Sequence, residues 1–429
     1  MFDKVTPEKA IAFTRFSIAL CCAWPLSSDA TKAQVLRYRF LRVAAGLSAM
    51  GLFLPVSYAM YLNYGDADVF ANTASMIIAT THIMVQVLVF SLLQDRFRHR
   101  SYGPITLGWP QSWGGCTCPI SFKLPLAGQV EKRDMVKKLL IEDLTSFCEN
   151  MQSYEKRVVQ RYVDKYSKFY GWTVTWFYMC SVVVILGSLL DSTQTFPTVS
   201  EYPFSVDYMP VKITIFLHQS VVSFQCSSAV SANMFGALLL LYSAAKFEIL
   251  TIDFRAATTV EALTDCLKKY YAVTRYTWQV VSGVQYVAFA TILINSVIIV
   301  FCGYNLIGRQ MIIVYMQLIF IVGTSLLEVL MWAIPADHLM EMSEKVTRGA
   351  YEATWYEQGL TVQKTVLRIM MPQKPMKISL KCFVPNLNLD YFCSYISSAF
   401  SLLAALRAVL DDSDDILPSK SINSTYMMR

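Results

Sequence analysis

The sequence predicts an all-α, polytopic membrane protein with seven transmembrane helices, a cytoplasmic amino terminus and an extracellular carboxyl terminus. Three observations carry that prediction. The first is composition: 55% of the 429 residues are hydrophobic and only 16% are charged, and a mean hydropathy of +0.40 is too apolar for a soluble chain of this length. The second is a set of seven apolar runs, Val43–Leu62, Val69–Leu93, Trp172–Leu190, Val211–Ala245, Val280–Phe301, Met311–Ile334 and Leu389–Leu410; each is long enough to cross a bilayer, which takes roughly 20 residues. The third is the placement of charge. Of the 37 Lys and Arg residues, seven precede the first run, thirteen lie in Gln94–Gly171, five in Lys246–Gln279 and seven in Pro335–Asn388, whereas Asn63–Asp68 and Asp191–Pro210 carry none. By the positive-inside rule the basic connections are cytoplasmic.

This divides the chain into a cytoplasmic amino-terminal segment (1–42), six membrane helices enclosing a ligand pocket (43–334), a cytoplasmic helical assembly region (335–388), a seventh, pore-lining helix (389–410) and an extracellular tail (411–429). The opening TPEKAIAFTRFSIALCCAWPL reads as an interfacial or re-entrant helix, because Arg15 interrupts its apolar surface and Trp24–Pro25 ends it. Polar residues in the second run, His82 among them, point to a cavity, since intramembrane polar groups need partners or water. Ser101–Gly128, rich in Gly, Pro and Trp, reads as an irregular loop. Cys116 and Cys118 within it have no nearby His or second Cys pair to complete a metal site, and the other cysteines lack framework spacing. No cofactor, metal or nucleic acid is expected.

From Lys132 to Tyr170 an amphipathic helical pattern runs directly into the third span. That span gathers Trp176, Phe177, Tyr178 and Met179, the fourth adds Phe216, and the sixth adds Tyr315, Met316 and Phe320. With His82, these aromatic and Met-rich walls form the expected pocket for a small hydrophobic ligand, set against ordinary helix packing as the plainer explanation. The fourth run is too long for one straight crossing, so it extends into the cytosol or bends near Gly236. Ser343–Pro375 reads as a further amphipathic helix, broken at Gln373–Pro375 and placed for subunit contacts.

The last run combines a small and hydroxyl stripe, including Ser397, Ser398, Ser401 and Ala405, with an apolar stripe carrying Leu402 and Leu406 about a quarter-turn away. Arg407 and the acidic cluster Asp411, Asp412, Asp414 and Asp415 follow. Two readings stand here: a pore-lining helix with a cation-concentrating mouth, or a helix packed closely on a neighbour through small residues.

Several stretches resemble the insect odorant receptor family. SEKVTRGAYEATWYE followed by RIMMPQKPMKISL is similar to the family's Ser-Glu, Ala-Tyr-Glu, Trp-Tyr, Met-Met and Gln-Lys-Pro signature before the last helix. FTRFSIALCCAWPL resembles its amino-terminal helix, and Tyr202–Pro203–Phe204 its motif before the fourth span. The terminal motif of gustatory receptors is absent, because the matching positions are Ser398, Ala399, Ala405 and Leu406. The connection Lys246–Gln279 is short beside that of the family's obligate co-receptor, Orco. The resemblance therefore implies a ligand-tuned, hymenopteran-like subunit of an odorant-gated, non-selective cation channel, assembled with Orco in a tetramer in the plasma membrane of a sensory dendrite. It also implies a hydrophobic constriction at Leu402 and Leu406, with Ala405 standing where relatives often have Gln.

The alternatives are a gustatory-type channel and a G-protein-coupled receptor, the latter opposed by the inverted orientation. A transporter would show acidic residues inside its spans and a pair of Gly/Pro-broken spans in matching halves, and an enzyme would show a nucleophile, metal or phosphate constellation. The sequence offers neither.

Overall fold

The computed structural model describes residues 5–22, 24, 31–65, 67–92, 143–190, 195–307, 312–360, 363–364, 366–367, 376–379 and 384–416. In these the chain is almost entirely helical: α1 (Pro7–Ser17), α2 (Lys32–Leu62), α3 (Ala67–Leu92), α4 (residues 143–150), α5 (Ser153–Leu190), α6 (Met209–Ser231), α7 (Asn233–Ala256), α8 (Val260–Ile307), α9 (Ile312–Glu352) and α10 (Leu389–Ile416). Among the described residues, six helical stretches are long and apolar enough to cross a membrane. The second predicted run falls on α3, of which Thr73–Val85 forms a shorter apolar stretch.

The helices outrun the apolar segments that announced them. α2 begins at Lys32, where Thr31 and Gln34 form a capping box that satisfies two end groups reciprocally, and α9 continues to Glu352. What reads as connections, Lys246–Gln279 and the start of Ser343–Pro375, is therefore mostly helix carried past the apolar zone.

Local chemistry explains the other departures. α1 stops at Ser17 rather than at Trp24–Pro25, because the chain turns through Ile18–Cys22 and the buried Arg42 donates from Nε and Nη2 to the Cys22 carbonyl at 2.9 and 2.8 Å. The helix expected from Lys132 into the third span is broken at Met151–Gln152, where the Gln152 N–H donates to Glu155 Oε2 at 2.8 Å and α5 restarts. Residues 132–142, like Cys116, Cys118 and the Ser101–Gly128 loop, lie outside the described residues.

The long fourth run bends at Ala232, four residues before Gly236. There the ladder tightens to Ala232 N–H→Ala229 O and Phe235 N–H→Ala232 O bonds of 3.0 and 3.1 Å, the i→i−3 pattern of a 3₁₀ turn. Gly236 serves packing instead: a Cβ there would lie 2.2 Å from Trp332 Cη2, so only glycine lets α7 and α9 approach.

Pro335 sits inside α9 and lacks the N–H that would bond the Met331 carbonyl. The Tyr170 hydroxyl donates to that carbonyl at 3.2 Å and restores the lost bond. The helix expected within Ser343–Pro375 is not continuous: its first ten residues finish α9, a 3₁₀ turn follows at Trp355–Glu357, Leu360 is exposed while Val366 is buried, and residues 368–375 lie outside the description.

Candidate functional site

Five helices contribute most of the lining of a cavity within the bundle, completed by Leu52 of α2 and Thr198 of the connection before α6. On α5 the lining residues are Phe177, Cys180, Ser181 and Val184; on α6 they run from Gln219 to Val230; on α9 they are Ile321, Thr324, Ser325 and Glu328. These recur at i, i+3, i+4 and i+7, the period of one helical face. α3 adds Met76, Thr80, His82 and Ile83, and α8 adds Asn295 and Ile298. The cavity is ≈ 120 Å³, close to the roughly 150 Å³ apolar cavity known to hold benzene. It suits a ligand about the size of one ring.

Two polar groups bound it. At one end the Gln219 carbonyl oxygen accepts from Thr198 N–H and Oγ1 at 3.0 and 2.9 Å, while its amide donates to Ser200 Oγ at 2.8 Å and Tyr202 OH at 3.2 Å, fastening the 195–208 connection to α6. Beside them, Ser181 donates to the Ser223 carbonyl at 2.7 Å and Ser227 to the Phe177 carbonyl at 2.6 Å, which clips α5 to α6. At the other end is Glu328, 1% exposed. Asn233 donates to its Oε1, Asn295 donates to Oε2 at 2.8 Å, and His82 Nε2 stands 3.6 Å from Oε1. An acidic side chain at this depth is costly and is held only by such partners.

Of the nine pocket residues expected from sequence, only His82 and Phe177 line this cavity. Trp176 instead stacks on Phe320 with ring centroids 4.5 Å apart. The Tyr178 hydroxyl donates to the Ser17 carbonyl at 2.8 Å, so this ring reaches α1. Met179 and Met316, 45% and 49% exposed, lie on the outer surface. Phe216 and Tyr315 are half-buried away from the lining. The reason is geometric: consecutive helical residues are 100° apart, so the cluster 176–179 fans around α5 rather than sharing a wall. Sequence reasoning placed Gln219 beside Phe216 on the fourth span but missed Asn295 and Glu328; the expectation that the spans lack acidic residues is corrected by Glu328, which lies inside the run Met311–Ile334.

A family model described as 7tm Odorant receptor matches residues 117–400. The chain belongs to this odorant receptor family. The receptor is also similar in fold to solved structures of the insect olfactory receptor OR5 from Machilis hrabei. The structure in complex with eugenol aligns with a TM-score of 0.70 at 11% identity, covering 94% of this chain and 97% of that one. The second OR5 structure also gives 0.70, at 12% identity over 94% and 98% of the two chains. No curated protein matches the sequence. Family and fold together make this a receptor and not an enzyme.

In the receptor, α10 packs on α8 and α9. Tyr391, Phe392 and Tyr395 lie against the core, and Leu403 fits where Gly303 lacks a Cβ. Ser398, Ser401, Leu402 and Ala405 are exposed, while Leu406 is half-buried. The two leucines are thus unequal: Leu402 borders the free serine face, and Leu406 leans toward the packed one.

Proposed function

We propose that this receptor is the odorant-binding subunit of a heteromeric, ligand-gated, non-selective cation channel, and that the cavity between α3, α5, α6, α8 and α9 holds the odorant. The observation that carries this reading is the cavity itself: a ring-sized, mostly apolar space lined for the most part by five helices, the design of a small-ligand site. The OR5 structure named with eugenol supports a site for a small volatile in this fold.

Seven helices cross the plasma membrane in this reading, with α3 as the second, the amino terminus in the cytoplasm and the carboxyl terminus outside. The free serine face of α10 lines the pore, Leu402 and Leu406 close it by dewetting, and Orco subunits complete a tetramer. α8 touches both parts, with Asn295 and Ile298 at the cavity and Gly303 against Leu403. Ligand binding biases α10 only to the extent that the open state binds the odorant more tightly.

The test is a dose–response comparison with Orco co-expressed. Phe177→Ala is expected to weaken odorant potency about tenfold or more, through lost dispersion contacts, with currents compared at matched surface expression because this buried ring also packs the core. Unchanged curves for both Phe177→Ala and Ile321→Ala reject the cavity as the odorant site, and full currents from this chain expressed alone reject the heteromer.

A further inference from the structure

The cavity wall is lopsided in its hydrogen-bonding capacity. Both amide hydrogens of Gln219 are committed, to Ser200 and Tyr202. Both of Asn295 are committed as well, to the Thr291 carbonyl at 3.0 Å and to Glu328. The hydroxyls of Thr80 and Thr324 turn back to carbonyls of their own helices. These donors are spent inside the protein, and what remains on the wall is the Ser223 and Ser325 hydroxyls, each able to donate or accept.

Acceptors are not spent to the same degree. A carboxylate offers about four lone-pair positions, and Glu328 receives hydrogen bonds from Asn233 and Asn295, with His82 at 3.6 Å too distant to count as a third. Glu328 lies on the cavity wall, and neither Lys nor Arg is among the described lining residues. A ligand entering here meets a mostly apolar surface with the Ser223 and Ser325 hydroxyls and, at one end, the Glu328 carboxyl with acceptor positions to spare.

From this accounting we propose that Glu328 reads a hydrogen-bond donor on the odorant, so that the site selects small, largely apolar molecules carrying one O–H or N–H group over hydrocarbons and ethers of the same shape. This rests on the cavity being the odorant site and deepens that reading by naming the ligand class. Discrimination follows because an ether at the same position keeps water from the acceptor without replacing the bond. The donor has two chemical sources, a neutral hydroxyl and an ammonium group, which one experiment separates.

The experiment measures receptor currents with Orco co-expressed, using matched probes: 2-phenylethanol, its methyl ether and 2-phenylethylamine, together with 1-hexanol, 1-octanol and their methyl ethers. The alcohols are expected to be roughly threefold to tenfold more potent than their ethers, the range for one net hydrogen bond. Glu328→Gln keeps the shape of the side chain but replaces one acceptor oxygen by an amide donor, and is expected to shrink the alcohol-to-ether ratio several-fold at equal surface expression. If the ammonium source is the relevant one, 2-phenylethylamine leads the panel and loses most in Glu328→Gln. If the hydroxyl is, the alcohols lead.

Phe177→Ala separates the two failures. When it weakens every active probe alike while the alcohol-to-ether ratio stays near one in the wild-type receptor, or is unmoved by Glu328→Gln, the donor inference is overturned and the cavity stands. When neither Phe177→Ala nor Glu328→Gln alters any curve, the cavity falls as well. Silence toward every alcohol and amine, in a receptor that an ether opens, also overturns the inference.

Discussion

The α6–α7 rod and α10 are both apolar enough to cross a membrane, yet the protein uses them in opposite ways. In the most apolar window of Met209–Ala256, 78% of residues are buried within the chain; in that of Leu389–Ala408 none is. Hydropathy alone does not separate them. Burial shows that the first has its neighbours inside this chain, while the second presents serines, alanines and Leu402 outward. A polar, small-residue face is a poor lipid surface and a good surface for another subunit or for water. The contrast thus divides the bundle into a core that folds the chain and a helix whose outward face the described residues of this chain leave uncovered.

The strongest way to break this contrast is to overfill the core. Gly236→Val places a side chain against the fully buried Trp332, where even a Cβ would lie 2.2 and 2.7 Å from ring carbons. Overpacking of this kind costs about 1–3 kcal/mol or more, so surface-biotinylation signal should fall to a small fraction of wild type. Normal expression would show the α7–α9 contact to be looser than the structure has it.

A middle-sized effect is expected on α10, and on a different readout. Leu402→Ser removes an exposed apolar group beside the serine face, so expression should hold while ligand-independent current rises several-fold, as expected of a weakened dewetting gate. Ser401→Leu should lower single-channel conductance with expression equally intact. Leu406→Ser sharpens the comparison: half-buried on the packed side, it should cost expression as well. Identical behaviour of Leu402→Ser and Leu406→Ser would contradict the unequal placement of the two leucines.

The smallest effect belongs to the outer surface. Met179→Ala touches neither core nor cavity, and such changes stay within about 0.5 kcal/mol. Thermal unfolding of purified protein and odorant potency should both be unmoved, whereas Phe177→Ala, two residues away, shifts potency.

Much of the architecture was legible because hydropathy and charge act over long segments. Seven apolar runs fall on observed helices, the fourth on α6 and α7 together, and the spans on which a pocket was sought include helices that border the cavity. The site was less legible because a cavity is defined by directions. Trp176, Phe177, Tyr178 and Met179 form a cluster in one dimension and point four ways in three. Gln219 gives no sign in sequence that it will meet Thr198, since that contact depends on how the 195–208 connection folds back. The break at Ala232 carries no Pro or Gly at the bend itself, and Gly236, the visible candidate, is required by the Trp332 ring instead. Glu328 was readable as a buried acid inside an apolar run, but attention to aromatic residues passes over it.

The bend at Ala232 also gives α6 mechanical leverage. At 1.5 Å per residue, Gln219 stands about 20 Å outward from the bend, so a tilt of only about 5° displaces it by nearly 2 Å. Gln219 carries the 195–208 connection with it through Thr198, Ser200 and Tyr202. At the fulcrum, the first residue of α7 is Asn233, whose amide holds Glu328. The mouth of the cavity therefore sits at the free end of a lever whose fulcrum is tied to Glu328, so that a small tilt about that point is magnified at the rim.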